Sequence, residues 1–251
     1  MELRHTPRLY HEAALRQGLS VEPGTEQAHY LQHVLRVKIG DVMRLFNGRD
    51  GEWKATVAKL AKKSVTLTVH EQTRAPQAEP DLWLCAAPIK KAHFDYMIEK
   101  ATELGVATIH PILTARTQIR EVNVDRCRAI AIEAAEQSER LTIPDILKPV
   151  TLSDLVTNWP STRQIIVCAE WGEATPIAHA FTNLLSSQAA ILTGPEGGFA
   201  ADELEKLRMM SQAIFVRLGP RILRADTAAL AALTCWQAQC GDWMLSPRGT
   251  P

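Results

Sequence analysis

The sequence lacks the features of several large protein classes. No apolar run reaches the roughly 18 residues of a membrane span, and the charged start over residues 1–13 has no apolar stretch of the secretory type. The five cysteines are odd in number and never form Cys-x-x-Cys. We therefore expect no membrane partner, no disulfide framework, no zinc knuckle and a reducing, cytoplasmic location.

Several short motifs of enzyme chemistry are also missing. The chain has no G-x-G-x-x-G for a dinucleotide and no G-x-x-x-x-G-K-[ST] for a nucleoside triphosphate. It has no G-x-S-x-G nucleophile elbow, which argues against Ser/His/Asp hydrolysis. The eight histidines show no metal-ligand spacing. We therefore predict no bound metal and interpret the histidines as surface or partner-facing residues.

Charge is balanced over the whole chain but not along it. Residues 1–75 hold 12 Lys/Arg against 8 Asp/Glu, a net +4, whereas residues 76–251 hold 16 against 20, a net −4. The basic excess is compatible with a polyanion partner such as a nucleic acid, with Arg8, Arg36 and Lys38 as candidate contacts to it. An excess of this size is also ordinary surface variation, so charge alone leaves both interpretations open.

The first part of the chain has the pattern of a small β domain. From Val42 the apolar residues alternate with polar ones, and the same period of two returns around Val65–Val69. Asn47-Gly48 and Asp50-Gly51 are hairpin signals. Residues 1–72 are therefore predicted to form a small antiparallel barrel or sheet, and residues 73–81, with two prolines and no periodicity, to form a linker.

Beyond the linker, apolar strands alternate with helical segments. Strands are predicted at 82–87, 106–113, 164–169, 189–193 and 213–218. One intervening helix closes at Gly105, and another is capped by Asp125 and stops before Pro144. This alternation predicts an α/β domain over 82–245 with a parallel sheet covered on both faces. Residues 246–251 are predicted to be a flexible tail.

Two loops at strand ends contain clustered glycines. Gly194-Pro195-Glu196-Gly197-Gly198 follows the strand AAILT, and Gly219-Pro220-Arg221-Ile222-Leu223-Arg224 follows AIFVRL. Ligands of open α/β sheets bind beyond the carboxyl ends of the strands, and glycine lets a backbone approach a ligand closely. Each loop alone could be a plain strand-to-helix turn. Two of them on neighbouring strands predict a clamp for one planar ligand.

The paired loops, GPEGGF and LGPRILRADTA, are similar to those of the ribosomal RNA small subunit methyltransferase E family, in the SPOUT superfamily. Further landmarks are KATELGV at 100–106, EAAEQSER at 133–140 before Ile143-Pro144, and His29 with Val34-Leu35-Arg36 and Gly40-Asp41. The resemblance implies a PUA-like N-terminal β-barrel, a trefoil knot over about 191–240 and a homodimer formed through the knot region.

The resemblance also implies the activity, which is S-adenosylmethionine-dependent methylation of nitrogen-3 of a specific uridine in 16S rRNA of the small ribosomal subunit. Fifteen residues of the two loops are then expected to bind this cofactor: Leu192, Thr193, Gly194, Pro195, Glu196, Gly197, Gly198, Leu218, Gly219, Ile222, Leu223, Arg224, Ala225, Thr227 and Ala228.

Two positions depart from the family pattern. Ala200 stands where members usually have serine, so the following helix should lose its N-cap. Ala225-Asp226-Thr227-Ala228 stands where they usually have Thr-Glu-Thr-Ala. The second change keeps a carboxylate but shortens it, which leaves the role of Asp226 open.

Methyl transfer to an imide nitrogen requires orientation and removal of a proton. An arginine beside the uracil oxygens would stabilise the resulting anion. Arg224 is the first candidate for this role, followed by Arg116 and Arg140, and Arg140 is also a candidate RNA contact. Glu196 is expected to orient the cofactor or take the proton. A structural ion pair or a solvated side chain is the alternative for each of them.

Two other functions remain open at this stage. One is a SPOUT 2′-O-ribose methyltransferase that acts on tRNA or rRNA. The other is a non-catalytic RNA-binding factor of ribosome assembly, against which the intact loops argue. The helix TAALAALTCWQAQC is apolar on nearly every side, which favours a buried subunit interface or a core helix.

Overall fold

In a computed structural model of the chain, residues 6–169, 173–181 and 188–245 are described. The chain divides into two compact units: unit 1 comprises residues up to 78 together with 135–143, and unit 2 comprises 79–134 and the chain from 144 onward. Among the described residues, no helix is both long and apolar enough to cross a bilayer. The predicted tail at 246–251 lies outside the described residues.

Unit 1 is built on a five-stranded sheet with the order β1-β3-β4-β5-β2. Its elements are β1 (Arg8–Tyr10), β2 (Ser20–Val21), α1 (Thr25–His29), a π-helical turn (Tyr30–Val34), β3 (Val42–Asn47), β4 (Gly51–Ala61) and β5 (Ser64–Arg74). The period-two segments form the antiparallel strands β3, β4 and β5, as predicted. One pairing is parallel, between β1 and β3, and the sequence pattern did not indicate it.

The inward face of this sheet carries the core of unit 1, which includes Leu31, Met43 and Leu67, all fully buried. Strand β5 extends to Arg74, two residues into the predicted linker, because Arg74 pairs with Glu52 of β4. The division between the units falls after Ala78. A boundary at residue 72 is therefore too early.

The segment 135–143 also belongs to unit 1, although the sequence analysis assigned it to the second domain. Arg8 holds it there, because its guanidinium donates to the carbonyl oxygens of Ala135 and Arg140, each at 2.7 Å. Arg8 is also paired with Glu52. The periodicity of this segment does not indicate that it belongs to unit 1, because that placement depends on pairing between residues far apart in the chain.

Unit 2 alternates strands and helices. Its strands are β6 (Leu82–Ala86), β7 (Thr108–Leu113), β8 (Asp145–Ile146), β9 (Val150–Thr151), β10 (Gln164–Cys168), β11 (Thr175–Pro176), β12 (Ala189–Thr193) and β13 (Ala213–Arg217). Its helices are α2 (Lys91–Glu103), α3 (Val124–Gln137, whose end lies in unit 1), α4 (Leu152–Thr157), α5 (Ile177–Ala180), α6 (Ala201–Arg208) and α7 (Ala225–Cys240).

The predicted parallel sheet is confirmed. Its strand order is β11-β13-β10-β12-β6-β7-β8, with β9 beside β7, and every pairing recorded among the described residues is parallel. The expectation that β12 and β13 are neighbours is wrong, because β10 pairs with both and lies between them. Strand order is a tertiary property that the sequence pattern could not reveal. The trefoil knot over about 191–240 remains a prediction.

Two helix ends refine the sequence analysis. The side chain of Asn123, rather than Asp125, caps α3 by accepting a hydrogen bond of 2.9 Å from the amide of Arg126. Helix α6 begins at Ala200 without a side-chain cap, as predicted. Helix α7 buries Ala229, Leu233 and Trp236 almost completely within the chain, so one face of this helix packs in the core.

Candidate functional site

The carboxyl ends of three adjacent strands of unit 2 enclose a cavity of about 370 Å³, which we call the strand-end cavity. Its walls come from the segments that follow β10, β12 and β13, which converge because parallel strands end at the same edge of a sheet. The volume lies in the range of about 300–1,000 Å³ that is typical of small-molecule sites. A small ligand here would touch all three segments at once.

Glycine is required by the backbone at two points of the wall. The amide of Gly198 donates to the carbonyl of Pro195 at 2.9 Å and closes a tight turn, with φ +67° at Gly198. Gly219 has φ +97°, and other residues rarely adopt this region. A Cβ on either glycine would meet no atom of the described residues within 4 Å, its chain neighbours aside, so the space beside both backbones is open to a ligand.

Thr193 and Cys168 give the cavity two contrasting polar groups. The Oγ1 atom of Thr193 is buried and has no hydrogen-bond partner among the described residues, and leaving such an atom unpaired is costly. A polar ligand atom in the cavity would satisfy it. Burial, helped by Cys235, raises the pKa of the Cys168 thiol to about 12, so this side chain lines the cavity as a neutral thiol.

Arg116 and Glu203 hold the first loop in place. Arg116 follows β7, and its Nη1 donates to the carbonyl oxygen of Gly197 at 2.7 Å. The buried carboxylate of Glu203 accepts from the amides of Ala115 and Ala200, each at 2.8 Å. Both contacts join the segment after β7 to the segment after β12, so the loop has a defined shape before any ligand arrives.

A second cleft of about 760 Å³ lies against the same loop, and we call it the side cleft. It is lined by Ile89, Lys90, His93, Ala115, Arg116, Thr117, Gln118, Glu196, Gly197, Arg224, Ala225 and Asp226. Arg116, Glu196, Gly197 and Ala225 line both spaces. The two sites are therefore contiguous. The strand-end cavity is the more enclosed of the two, and the side cleft is lined by most of the charged side chains.

A His–Asp pair spans the side cleft from α2 to α7. The Nδ1 atom of His93 lies 2.8 Å from Oδ2 of Asp226. Burial would raise the pKa of Asp226, but the hydrogen bonds from His93 and from the amide of Thr227, together with the charge of His93, outweigh burial and lower it. Asp226 is thus a carboxylate at neutral pH.

Twelve of the fifteen residues predicted to bind the cofactor line the strand-end cavity. The other three do not: Leu192 is fully buried in β12, Thr227 is exposed on α7, and Arg224 lines the side cleft instead. The cavity residues that were not predicted are Cys168, Ala169, Phe199, Leu204 and Val216, whereas Arg217, Pro220 and Arg221 lie in or beside the second predicted loop. Cys168 is the last residue of β10 and Ala169 follows it, and the position of β10 between β12 and β13 was not predictable.

The three predicted catalytic residues come together. Arg224, Glu196 and Arg116 all line the side cleft, and all are exposed. Glu203, His93 and Asp226 were not among the predicted site residues. Glu203 stands three residues after Ala200, the spacing of a capping box, so a signal for it existed in the sequence.

The predicted RNA contacts separate into two pairs. Arg36 and Lys38 are exposed on unit 1. Arg8 and Arg140 are only 7% and 4% exposed, because Arg8 is paired with Glu52 and Arg140 donates to Thr142. The assignment of Arg8 and Arg140 to RNA binding is therefore wrong for this structure. A basic residue is ordinarily expected at the surface, and only burial reveals its structural role.

Within the described residues, no cluster of three or more His, Cys, Asp or Glu side chains is arranged to hold a metal.

Comparison with known proteins gives concordant results. The model of the RNA methyltransferase domain family matches residues 76–237, and that of the RNA methyltransferase PUA domain matches residues 23–69. Ribosomal RNA small subunit methyltransferase E of Rickettsia conorii is 37% identical over 227 residues, which cover 90% of this chain and 93% of that protein. Its namesake from Synechocystis is 35% identical over 83% of this chain and 70% of that protein.

Solved structures agree. A ribosomal RNA small subunit methyltransferase E from Neisseria gonorrhoeae, bound to S-adenosyl methionine, is 28% identical. The two structures align with a TM-score of 0.86 over 96% of this chain and 100% of that chain. A protein from Legionella pneumophila, solved in complex with the bound cofactor SAM, is 29% identical with a TM-score of 0.85; the match covers 95% of this chain and 99% of that one.

Proposed function

The chain belongs to the ribosomal RNA small subunit methyltransferase E family, and on that premise we propose that it methylates nitrogen-3 of a specific uridine in 16S rRNA. The coarser activity, S-adenosylmethionine-dependent methylation of ribosomal RNA, is that of its family. The observation that carries the finer proposal is the contiguity of the two sites, which share Arg116, Glu196, Gly197 and Ala225.

The strand-end cavity is assigned to S-adenosylmethionine. When bound, this cofactor supplies an electrophilic methyl group on a sulfonium sulfur. The chain offers Oγ1 of Thr193, which no described residue pairs with, to a polar ligand atom. It offers open backbone beside Gly198 and Gly219 to a flat ligand group. The two relatives of known structure whose names record this cofactor support the assignment.

The side cleft is assigned to the target base. Loss of the N3 proton places negative charge on the uracil oxygens, and Arg224 and Arg116 both line this cleft. A guanidinium donor stabilises such an anion most strongly where water is excluded. Arg116 is already bound to the Gly197 carbonyl, so Arg224 is the principal partner of the base. Glu196, at the junction of the two sites, orients the cofactor.

Unit 1 is assigned to RNA binding. Arg36 and Lys38 are exposed there, and the match of residues 23–69 to the RNA methyltransferase PUA domain supports the assignment. The proposed partner is 16S rRNA already assembled into the small ribosomal subunit. Phosphate contacts of this kind position the RNA without reading its sequence.

We further propose a homodimer formed through the region of α7. Beyond its buried face, the segment after this helix presents Trp243, Met244 and Leu245 with 50%, 86% and 73% of their surfaces exposed. Contiguous exposed apolar residues mark interaction surfaces. Sedimentation equilibrium should give twice the chain mass, and M244E/L245E should shift it to the monomer. A monomeric wild-type chain would refute the dimer.

The product of the reaction decides between the proposal and its alternatives. Small subunits from a strain that lacks this protein are incubated with the purified chain and S-adenosylmethionine, and their nucleosides are analysed by mass spectrometry. N3-methyluridine is expected. A 2′-O-methyl product, which resists alkaline cleavage of the next phosphodiester, would favour ribose methylation. Tight RNA binding with no methylated product would favour an assembly factor.

A further inference from the structure

The His93–Asp226 pair has no role in the assignments above, although it lies within the side cleft. His93 is near the N-terminus of α2, and Asp226 is near the N-terminus of α7. The two side chains meet with Nδ1 and Oδ2 at 2.8 Å. The side chain of Asp226 is 11% exposed, whereas that of His93 is 44% exposed, so the histidine is the more accessible partner of the pair.

The carboxylate of Asp226 fixes the tautomer of the neutral His93 imidazole. Because the pKa of Asp226 is lowered, this side chain only accepts hydrogen bonds at neutral pH, and Nδ1 of neutral His93 must carry the proton that it donates. Nε2 then carries the lone pair. The described residues make no hydrogen bond to the imidazole of His93 other than that of Asp226. Nε2 is thus available as a proton acceptor.

The neighbouring charges are those of the proposed reaction. The charged groups that line the cleft with this pair are Lys90 before α2, Arg116 after β7, Glu196 after β12 and Arg224 before α7. Three of the four are cationic, which favours an anionic base in the cleft. Glu196 is exposed to solvent, so it lacks the desolvation that would strengthen a carboxylate as a base.

We propose that His93 is a catalytic residue that accepts the N3 proton of the target uracil, and that Asp226 is its positioning residue. The proposal rests on the proposed function. The proton passes from N3 to Nε2, and the electron pair left on N3 forms the new N–CH₃ bond. The bond between that methyl group and the sulfonium sulfur breaks, and its electron pair goes to sulfur. The imidazolium, paired with Asp226, then releases its proton to water.

The alternative is that the pair only ties α2 to α7, and chemical rescue distinguishes the two roles. H93A should lower kcat by about 10²–10⁴-fold, the usual contribution of general base catalysis, and leave the dissociation constant for S-adenosylmethionine within about twofold. Added imidazole should restore part of the lost rate, because it can replace the missing base. H179A is the control, since His179 is exposed on α5 and lines neither site.

The pH dependence gives a second readout. The wild-type rate should rise with pH and level off once the imidazole is neutral. The rate of H93A should keep rising, because hydroxide then takes the proton. D226N should lower kcat more than D226E, which keeps a carboxylate. Without any cofactor, nitrogen NMR should find His93 protonated at Nδ1, and D226N should mix the two tautomers.

The outcomes are separable from those of the proposed function. If wild-type protein yields no N3-methyluridine, the proposed function fails. If wild-type protein yields it, but H93A keeps the wild-type pH profile or gains nothing from imidazole, the inference is overturned while the function stands. The same holds if NMR finds His93 protonated at Nε2.

Discussion

Nη1 of Arg116 donates a hydrogen bond of 2.7 Å to the carbonyl oxygen of Gly197. The contact joins the segment after β7 to the glycine loop after β12, residues 81 positions apart in the chain. It fixes the wall that the strand-end cavity and the side cleft share. Together with Glu203, this side chain therefore holds the wall of both proposed sites, and preorganisation of this kind lowers the cost of binding.

Removing this hydrogen bond should loosen the loop. R116A is expected to weaken S-adenosylmethionine binding by about tenfold, close to the loss of one hydrogen bond of about 1.4 kcal/mol, and to lower turnover as well. Isothermal calorimetry measures the first effect. R120A is the matched control, because Arg120 is exposed in the same segment and lines neither site. Equal affinities for R116A and wild type would contradict the role of this hydrogen bond.

Thr193→Val should have opposite effects on stability and binding. The substitution keeps the shape but removes the buried Oγ1, which has no hydrogen-bond partner in the described part of the chain. The free energy of unfolding without ligand should therefore rise by about 1 kcal/mol. Affinity for S-adenosylmethionine should fall by about tenfold, because the ligand loses a partner. In the control T102V, the deleted hydroxyl donates to Ile98 at 2.9 Å; this variant should be less stable and bind normally. Unchanged affinity in T193V would remove Thr193 from the cofactor site.

Arg224→Ala should act on turnover rather than on cofactor binding, because Arg224 lines only the side cleft. We expect kcat to fall by about 10²–10³-fold, the usual effect of removing one oxyanion donor, with cofactor affinity within about twofold of wild type. R221A is the complementary variant, since Arg221 lines only the strand-end cavity, and it should mainly weaken cofactor binding. A weakened cofactor affinity with normal turnover in R224A would show that Arg224 acts in the strand-end cavity rather than in the side cleft.

Replacing both Arg36 and Lys38 by alanine tests RNA binding by unit 1. For every phosphate that the variant no longer neutralises, the slope of log affinity against log salt should become shallower by about 1. Affinity for the small subunit should fall, and cofactor affinity should not change. Filter binding over a range of salt concentrations measures the slope. K59A, at an exposed residue of β4, is the control, and an unchanged slope in the double variant would exclude these residues.

Ala200→Ser should supply the missing N-cap of α6. The backbone of Ala200 already has the extended conformation of a cap, with φ −73° and ψ 158°. A serine hydroxyl there should stabilise the protein by about 1 kcal/mol and raise Tm by about 2–4 °C, without changing the activity. Differential scanning calorimetry tests this, with A201S, one residue inside the helix, as the control. Equal Tm values for A200S and A201S would show that no cap forms.

The sequence by itself determined most of the elements and most of the lining of the strand-end cavity. Period two predicted β3 to β5, and alternating strands and helices predicted the parallel sheet, because burial on one face or on both imposes these patterns on neighbouring residues. The loops around Gly198 and Gly219 were also predicted from local sequence, but for a different reason. A backbone with positive φ demands glycine, and this demand is visible in the sequence.

Tertiary structure alone decided which residues meet. It placed β10 between β12 and β13, which adds Cys168 to the cavity, and it brought His93 to Asp226 across 133 positions of the chain. It also buried Arg8, a residue whose type alone predicts a surface cation. Strand order, long-range pairing and burial depend on how distant segments pack together, and the period of a single segment carries no record of its eventual neighbours.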